Sequence, residues 1–142
     1  MKMENQEYFA SNAIDGNGVW KILQAVTSKP TTFGYMHKEI LEAWKYGDLF
    51  TVYEIATQQV MPCFCIATSN PSKLIPHVLS VIWVDESVRL KGFAKLLIKE
   101  SRPDIINDPL PGTKKFWNKM GYNVIKGKTL IKSKPIVEET AR

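Results

Sequence analysis

Arg89, Leu90, Lys91, Gly92, Phe93 and Ala94 are the consecutive residues of this chain best suited to chemistry. An apolar run precedes them, and Phe93, Leu96 and Leu97 follow at the spacing of one helix face. A strand that feeds a helix through a small-residue turn leaves the first N–H groups of the helix without partners. Those donors, with the positive end of the helix dipole, attract an anion. Gly92 and Ala94 let a phosphate come close to the backbone, and Arg89 and Lys91 add positive charge. The expected chemistry is a diphosphate cradle built on the N–H groups from Leu90 to Lys95.

Other reactive side chains carry weaker signals. Cys63 and Cys65, spaced i, i+2 on a predicted strand, point to one face. They are poorly placed to bridge each other and have no nearby His/Cys partners for a metal, so they read as small core hydrophobes and no metal site is expected. His37 falls on the apolar side of a predicted helix and reads as packed, and His77 stands at a strand end as a surface or capping residue. Glu54 sits mid-strand among apolar residues, where a carboxylate is uncommon. It either points outward or lines a cleft. Asp85 and Glu86 belong to a solvated turn.

The elements that must position these groups follow from periodicity. His77–Val84 is apolar on both alternating faces, the pattern of a central strand covered on both sides. Before it come a short strand near Glu7–Ala10 and a helix carrying Val19, Trp20, Ile22, Leu23 and Val26, capped by Asp15 or Asn17. A second helix runs from about Tyr35 to Lys45, with Ile40, Leu41 and Trp44 inward and Gly47 as its stop. Leu49–Ala56 and Val60–Thr68 read as strands joined at Thr57-Gln58-Gln59, with Pro62 marking an irregularity. Pro103 closes the cradle helix. A short strand at Asp104–Asn107, a helix at Thr113–Met120 and two strands at Tyr122–Ile125 and Lys128–Ile131 complete the chain. The four tryptophans read as core.

The chain has 142 residues, of which 44% are apolar and 23% charged, the balance of one ordinary soluble domain spanning 1–142. No apolar run approaches the roughly 20 residues of a membrane span. No signal sequence opens it, so a cytoplasmic location is the expectation. The net charge of +5 suits an anionic ligand. Lys126, Lys128, Lys132 and Lys134 read as a solvated strand edge, because no aromatics interleave with them as nucleic-acid binding would want.

Arg89-x-x-Gly92-x-Ala94 behind an apolar strand resembles the Arg/Gln-x-x-Gly-x-Gly/Ala signature of the GNAT N-acetyltransferase superfamily. Phe116-Trp117-Asn118-Lys119-Met120-Gly121-Tyr122 resembles the same family's helix-to-strand segment. The likeness runs from His77 to Ile125. It implies an α/β (α+β) fold: a central mixed, mostly antiparallel, twisted sheet flanked by about four helices.

The resemblance also implies a function. The donor would be an acyl-CoA, acetyl-CoA first, and the acceptor an amine on a small molecule or a protein; a homodimer is compatible with this reading. The cofactor-binding set would be Ile82, Trp83 and Val84 along the pantetheine, Arg89, Leu90, Lys91, Gly92, Phe93, Ala94 and Lys95 at the diphosphate, and Asn107. The Val84 N–H would face the oxyanion, and Glu54 is the candidate base. The chain departs from the pattern at Trp117, where many relatives carry the tyrosine that protonates the leaving thiolate; Tyr35 or Tyr53 could substitute. The alternative is a GNAT-like acyl-CoA-binding or structural protein without catalysis.

Overall fold

The computed structural model describes residues 7–27, 37–68, 78–107, 113–126 and 129–132, with backbone alone at 107, 123–126 and 129–132. Strand β1 (Tyr8–Ser11) is followed by helices α1 (Gly16–Thr27) and α2 (His37–Tyr46), strands β2 (Leu49–Glu54), β3 (Cys63–Thr68) and β4 (Val78–Val84), and a 3-10 turn at Glu86–Val88. Helix α3 (Phe93–Ser101), β5 (Ile105–Asn107), α4 (Lys114–Lys119), β6 (Tyr122–Lys126) and β7 (Thr129–Lys132) complete the order. Among the described residues, seven strands form one sheet in the order β1-β2-β3-β4-β5-β7-β6. Only the β4–β5 pair is parallel. The other neighbours run antiparallel. The expected mixed, mostly antiparallel sheet flanked by about four helices is therefore what the described residues form, with four α-helices among them.

Local chemistry sets the ends of these elements. Asp15 Oδ1 accepts from the Gly18 N–H at 2.7 Å, so Asp15 is the cap that opens α1. Gly47 closes α2 with φ of 77°, a conformation that glycine adopts without a Cβ clash. Gln58 takes φ of 62° in the β2–β3 connection. The Glu54 N–H donates to the Gln59 carbonyl at 2.9 Å there. Strand β3 begins at Cys63 rather than Val60, and β2 ends at Glu54 rather than Ala56. Val60 makes only an isolated bridge to Tyr53, because Pro62 has no N–H to continue the ladder.

Helices cover both faces of the sheet. Val19, Ile22 and Val26 of α1 and Ile40 of α2 pack with Leu49, Phe64, Ile66 and Trp83. On the opposite face, Phe93, Leu97 and Ile98 of α3 and Trp117 of α4 pack with Val52, Cys63, Cys65 and Leu79. The strands covered on both faces are thus β2 over Leu49–Val52 and β3, all of it buried but Thr68. Strand β4 is less covered than its apolar pattern suggests: Leu79 and Trp83 are buried, Ser80 is exposed and the rest are half-buried. Its outer part borders an open cleft, which a sequence period does not reveal.

Two inward expectations are corrected. Leu41 is 43% exposed and Trp20 57% exposed. The buried stripe of α2 runs through Ile40 and Ala43, and in a helix the next position turns about 100° away. Trp44 is half-buried, and its indole N–H donates to the Ile14 carbonyl at 2.6 Å. Cys63 and Cys65 are free thiols in the core. The readings of Tyr35, His77, the loop at 69–73, the turn at 109–112, Lys128 and the tail beyond Lys132 lie outside the described residues.

Replacing Asp15 with alanine leaves the Gly18 donor without its partner. Asp15→Ala is expected to lower stability by about 1 kcal/mol, and Asp15→Asn by a few tenths at most. Urea denaturation of the two variants measures the difference.

Candidate functional site

The site begins where two strands part. Strand β4 pairs with β3 from Val78 to Val84. It pairs with β5 only through Val78 and Leu79. Beyond Leu79 the β5 side of β4 has no strand neighbour among the described residues. The Asp85 N–H donates to the Pro62 carbonyl at 3.1 Å, so the main-chain groups of Asp85 point toward β3. Main-chain direction alternates along a strand. Trp83 therefore points its groups at Phe64, its register partner. Ile82 and Val84 point theirs the other way, into the gap.

That gap is the inner part of a cleft of about 810 Å³. Ile82, Trp83 and Val84 form one wall, and Phe116 and Trp117 of α4 form the other. Its outer end reaches Arg89, Leu90, Gly92 and the start of α3. There the backbone alternates in handedness. Arg89 is extended at φ of −71°, whereas Leu90 and Gly92 take φ of 75° and 81°. Alternation of this kind curls successive N–H groups around one concavity that suits an anion. Gly92 occupies the N-cap of α3 with no side-chain cap bond, so the first turn keeps its donors for a ligand. Leu90 holds its left-handed backbone without packing in return, since its side chain is fully exposed.

Arg89 ties the two ends of the cleft together. Its Nε donates to the Val84 carbonyl at 2.9 Å. The guanidinium thereby occupies one main-chain acceptor on the open edge and fixes the Val84 peptide beside the cradle. The 3-10 turn between them is held by Asp85, whose carboxylate accepts from Ser87 N–H at 3.0 Å and Ser87 hydroxyl at 2.6 Å. That commitment places Asp85 in the turn, as expected. Glu86 is exposed at the rim.

The structure brings together Ile82, Trp83, Val84, Arg89, Leu90, Gly92, Phe93, Ala94 and Lys95 of the expected set. Lys91 is exposed in the cradle turn but does not line the cleft. Asn107 ends β5 opposite Thr129. Glu54 stands at the far end of β2, half-buried, with Oε1 accepting from the Thr57 hydroxyl at 2.8 Å. It lies outside the cleft lining. The motif missed Thr113 and Phe116, which lie on the facing helix. The aromatic pair Phe116-Trp117 was the available signal for that wall.

The tyrosines place a limit on proton donation. Tyr122 is buried, its hydroxyl donates to the Pro103 carbonyl, and burial, then the charge of Asp104, pushes its pKa up to about 12. Tyr53 lies on the α1–α2 face, its hydroxyl 3.4 Å from the Ala13 carbonyl, with its pKa raised by burial and then by Asp15. Neither lines the cleft. Trp117 does, edge-on to both Phe116 and Tyr122 at centroid distances of 4.8 and 5.8 Å. Among the described residues, no three His, Cys, Asp or Glu side chains gather as metal ligands, and no helix is long and apolar enough to cross a membrane.

No family model and no curated protein matches the chain. Solved structures do resemble it. A candidate acetyltransferase from Exiguobacterium sp. 255-15 superposes with a TM-score of 0.61 at 12% identity, covering 96% of this chain and 98% of that one. A structure described as histone acetyltransferase HPA2 and related acetyltransferase, from Corynebacterium glutamicum ATCC 13032, gives 0.60 at 10% identity, over 93% of this chain and 100% of that one. A GCN5-related N-acetyltransferase from Kribbella flavida gives 0.56 at 14% identity, over 82% of this chain and 33% of that one. At such identities the likeness is one of fold.

Leu90 carries its left-handed backbone with no compensating contact. Leu90→Gly is therefore expected to be neutral or to stabilise by up to about 1 kcal/mol, the steric relief outweighing the added chain entropy. Thermal unfolding of Leu90→Gly beside Leu90→Ala, which keeps the Cβ, measures that relief.

Proposed function

On a chain with the GNAT acetyltransferase fold, we propose an acyl-CoA-dependent N-acyltransferase, with acetyl-CoA as the expected donor. The observation that carries this reading is the separation of β4 from β5 beyond Leu79, leading directly into the curled N–H groups at Leu90–Gly92. A diphosphate joined to an amide-bearing arm fits such a site. The anion takes the N–H groups of the α3 first turn, with Arg89 and Lys95 supplying charge. The arm completes the open edge of β4 through Ile82 and Val84, as an added strand would.

The reaction is attack by an uncharged amine on the thioester carbonyl. The carbon–nitrogen bond forms, the carbon–sulfur bond breaks, and the thiolate leaves. Positioning comes from the strand-like hold on the arm. The Val84 N–H, directed into the cleft, is the proposed oxyanion donor. Glu54 is the proposed base. It sits at the same end of the sheet as Val84, two strands away or ~10 Å, so its proton transfer runs through water. Trp117 has no proton to give, and the thiolate takes its proton from solvent. Acid assistance is typically worth about 10²–10⁴-fold, so turnover without it is slow. The wider assignment, a protein that works in the cytoplasm on small amines or protein amines, belongs to the same proposal.

One observation favours a second reading, acyl-CoA binding without transfer: the described cleft is walled by Trp117 and contains no tyrosine. Thiol release from acetyl-CoA across a panel of amines separates the two. Binding with no release for any amine would establish the second.

Gly92→Glu is expected to abolish acetyl-CoA binding by calorimetry while the chain stays folded. Gly92→Ala suffers the same left-handed strain without the charge, and should retain measurable affinity. Undiminished binding by Gly92→Glu would remove the cradle from the account. Glu54→Gln is expected to lower kcat by ~10²-fold with acetyl-CoA affinity unchanged. An unaltered kcat would show that another group takes the proton.

A further inference from the structure

We propose that β1 is the seam of a two-fold symmetric dimer, pairing antiparallel with β1 of a second copy of this chain. Strand β1 ends the sheet order, and among the described residues no strand lies outside it. It pairs with β2 in unbroken register from Tyr8 to Ser11. An exposed edge normally carries a charge, a proline or a bulge that deters another strand. Tyr8-Phe9-Ala10-Ser11 carries none of them.

Main-chain direction decides which groups the edge offers. The Ile55 N–H donates to the Glu7 carbonyl at 2.9 Å, so Glu7 turns its groups toward β2. Direction alternates along a strand. Phe9 and Ser11 therefore also face β2, while Tyr8 and Ala10 turn their groups outward. The outward groups are spaced evenly about Phe9. An antiparallel copy centred on Phe9 sets Tyr8 against the partner's Ala10, and Ala10 against the partner's Tyr8. Each pair exchanges N–H and C=O in both directions, as hydrogen-bonded antiparallel pairs do. A slip of one residue would set outward groups against inward ones.

Side chains fit the same register. Phe9 falls on the two-fold axis opposite the partner's Phe9, in a non-hydrogen-bonded pair with Cα atoms ~4.5 Å apart. Its ring stacks on Tyr53 at a centroid distance of 5.4 Å and an interplanar angle of 15°, and is still 37% exposed. The partner's ring covers that remaining surface, and aromatic cross-strand pairs are favourable. On the other face the large Tyr8 meets the partner's small Ala10. Ser11 comes opposite the partner's Glu7. The Ser11 oxygen accepts from the Ala13 N–H at 2.9 Å, which leaves its hydroxyl proton for that carboxylate. A foreign peptide would use the main-chain groups alone, whereas these matches are the strand's with itself. Tyr8 also meets Phe93, the first residue of α3, edge-on at 4.8 Å. The seam therefore closes beside the ring that braces the start of that helix.

A seam this short makes a reversible dimer at the low end of specific interfaces. Sedimentation velocity of the full chain over a concentration series is expected to show monomer passing into dimer. Ala10→Pro removes an outward N–H and leaves the β1–β2 ladder whole, so it should raise the dimer Kd roughly tenfold. Phe9→Lys and Phe9→Glu each set like charges against each other on the axis, and each alone should stay monomeric. Mixing the two should restore a one-to-one dimer, which also shows that both variants fold. A chain that stays monomeric throughout the series would overturn the seam. So would a dimer that all three variants leave unchanged, or a Lys/Glu mixture that does not associate. None of these measurements involves the ligand of the cleft, so their outcome is separate from the acyltransferase reading.

Discussion

Main-chain hydrogen bonding is the constraint on which this structure turns. Each N–H and C=O inside a protein needs a partner. Along β4 the β3 side satisfies one set from end to end, while the β5 side is satisfied only at its beginning. The remaining donors and acceptors at Ile82 and Val84 lie neither in open solvent nor in a ladder. They form a partly covered edge, of the kind that folded proteins otherwise protect. Here Arg89 covers one acceptor with its own side chain. The rest of the edge is left for something that can behave as a strand.

The surrounding architecture keeps that edge open. Helix α3 packs through Phe93, Leu97 and Ile98 onto β2 and β3, which fixes where its first turn begins. Helix α4 packs through Trp117 into the same core, where Phe116, Trp117 and Tyr122 meet edge to face. Tyr122 is tied in turn to the Pro103 carbonyl, just past the end of α3. One buried hydroxyl therefore ties the strand that follows α4 to the chain just past α3. Positioning in this site is a property of packed helices more than of the loop between them.

Much of this was legible in the sequence. Asp15 announced α1, Gly47 ended α2, and the Arg89–Ala94 run marked the turn where the backbone alternates in handedness. Those are local signals, decided within a few residues. What stayed hidden depends on neighbours. The apolar pattern of β4 does not say that β5 leaves after Leu79, nor that β2 and β3 are the strands covered on both faces. Trp20 follows the α1 pattern, yet it is mostly exposed. The left-handed turns at Leu90 and Arg102 had no glycine to announce them. Glu54 could be placed on a strand but not relative to a cleft, because its strand is two removed from β4.

Cys63 and Cys65 illustrate what a closed core does to reactive groups. Both are fully buried, and burial raises each thiol to about 12. At neutral pH neither carries the thiolate that oxidants and disulfide reagents attack. Colour from a thiol-detecting dye added to the native protein would thus not come from the chain's own cysteines. The same two sulfurs would begin to react only as the sheet loosened, so the chain contains its own clock for unfolding.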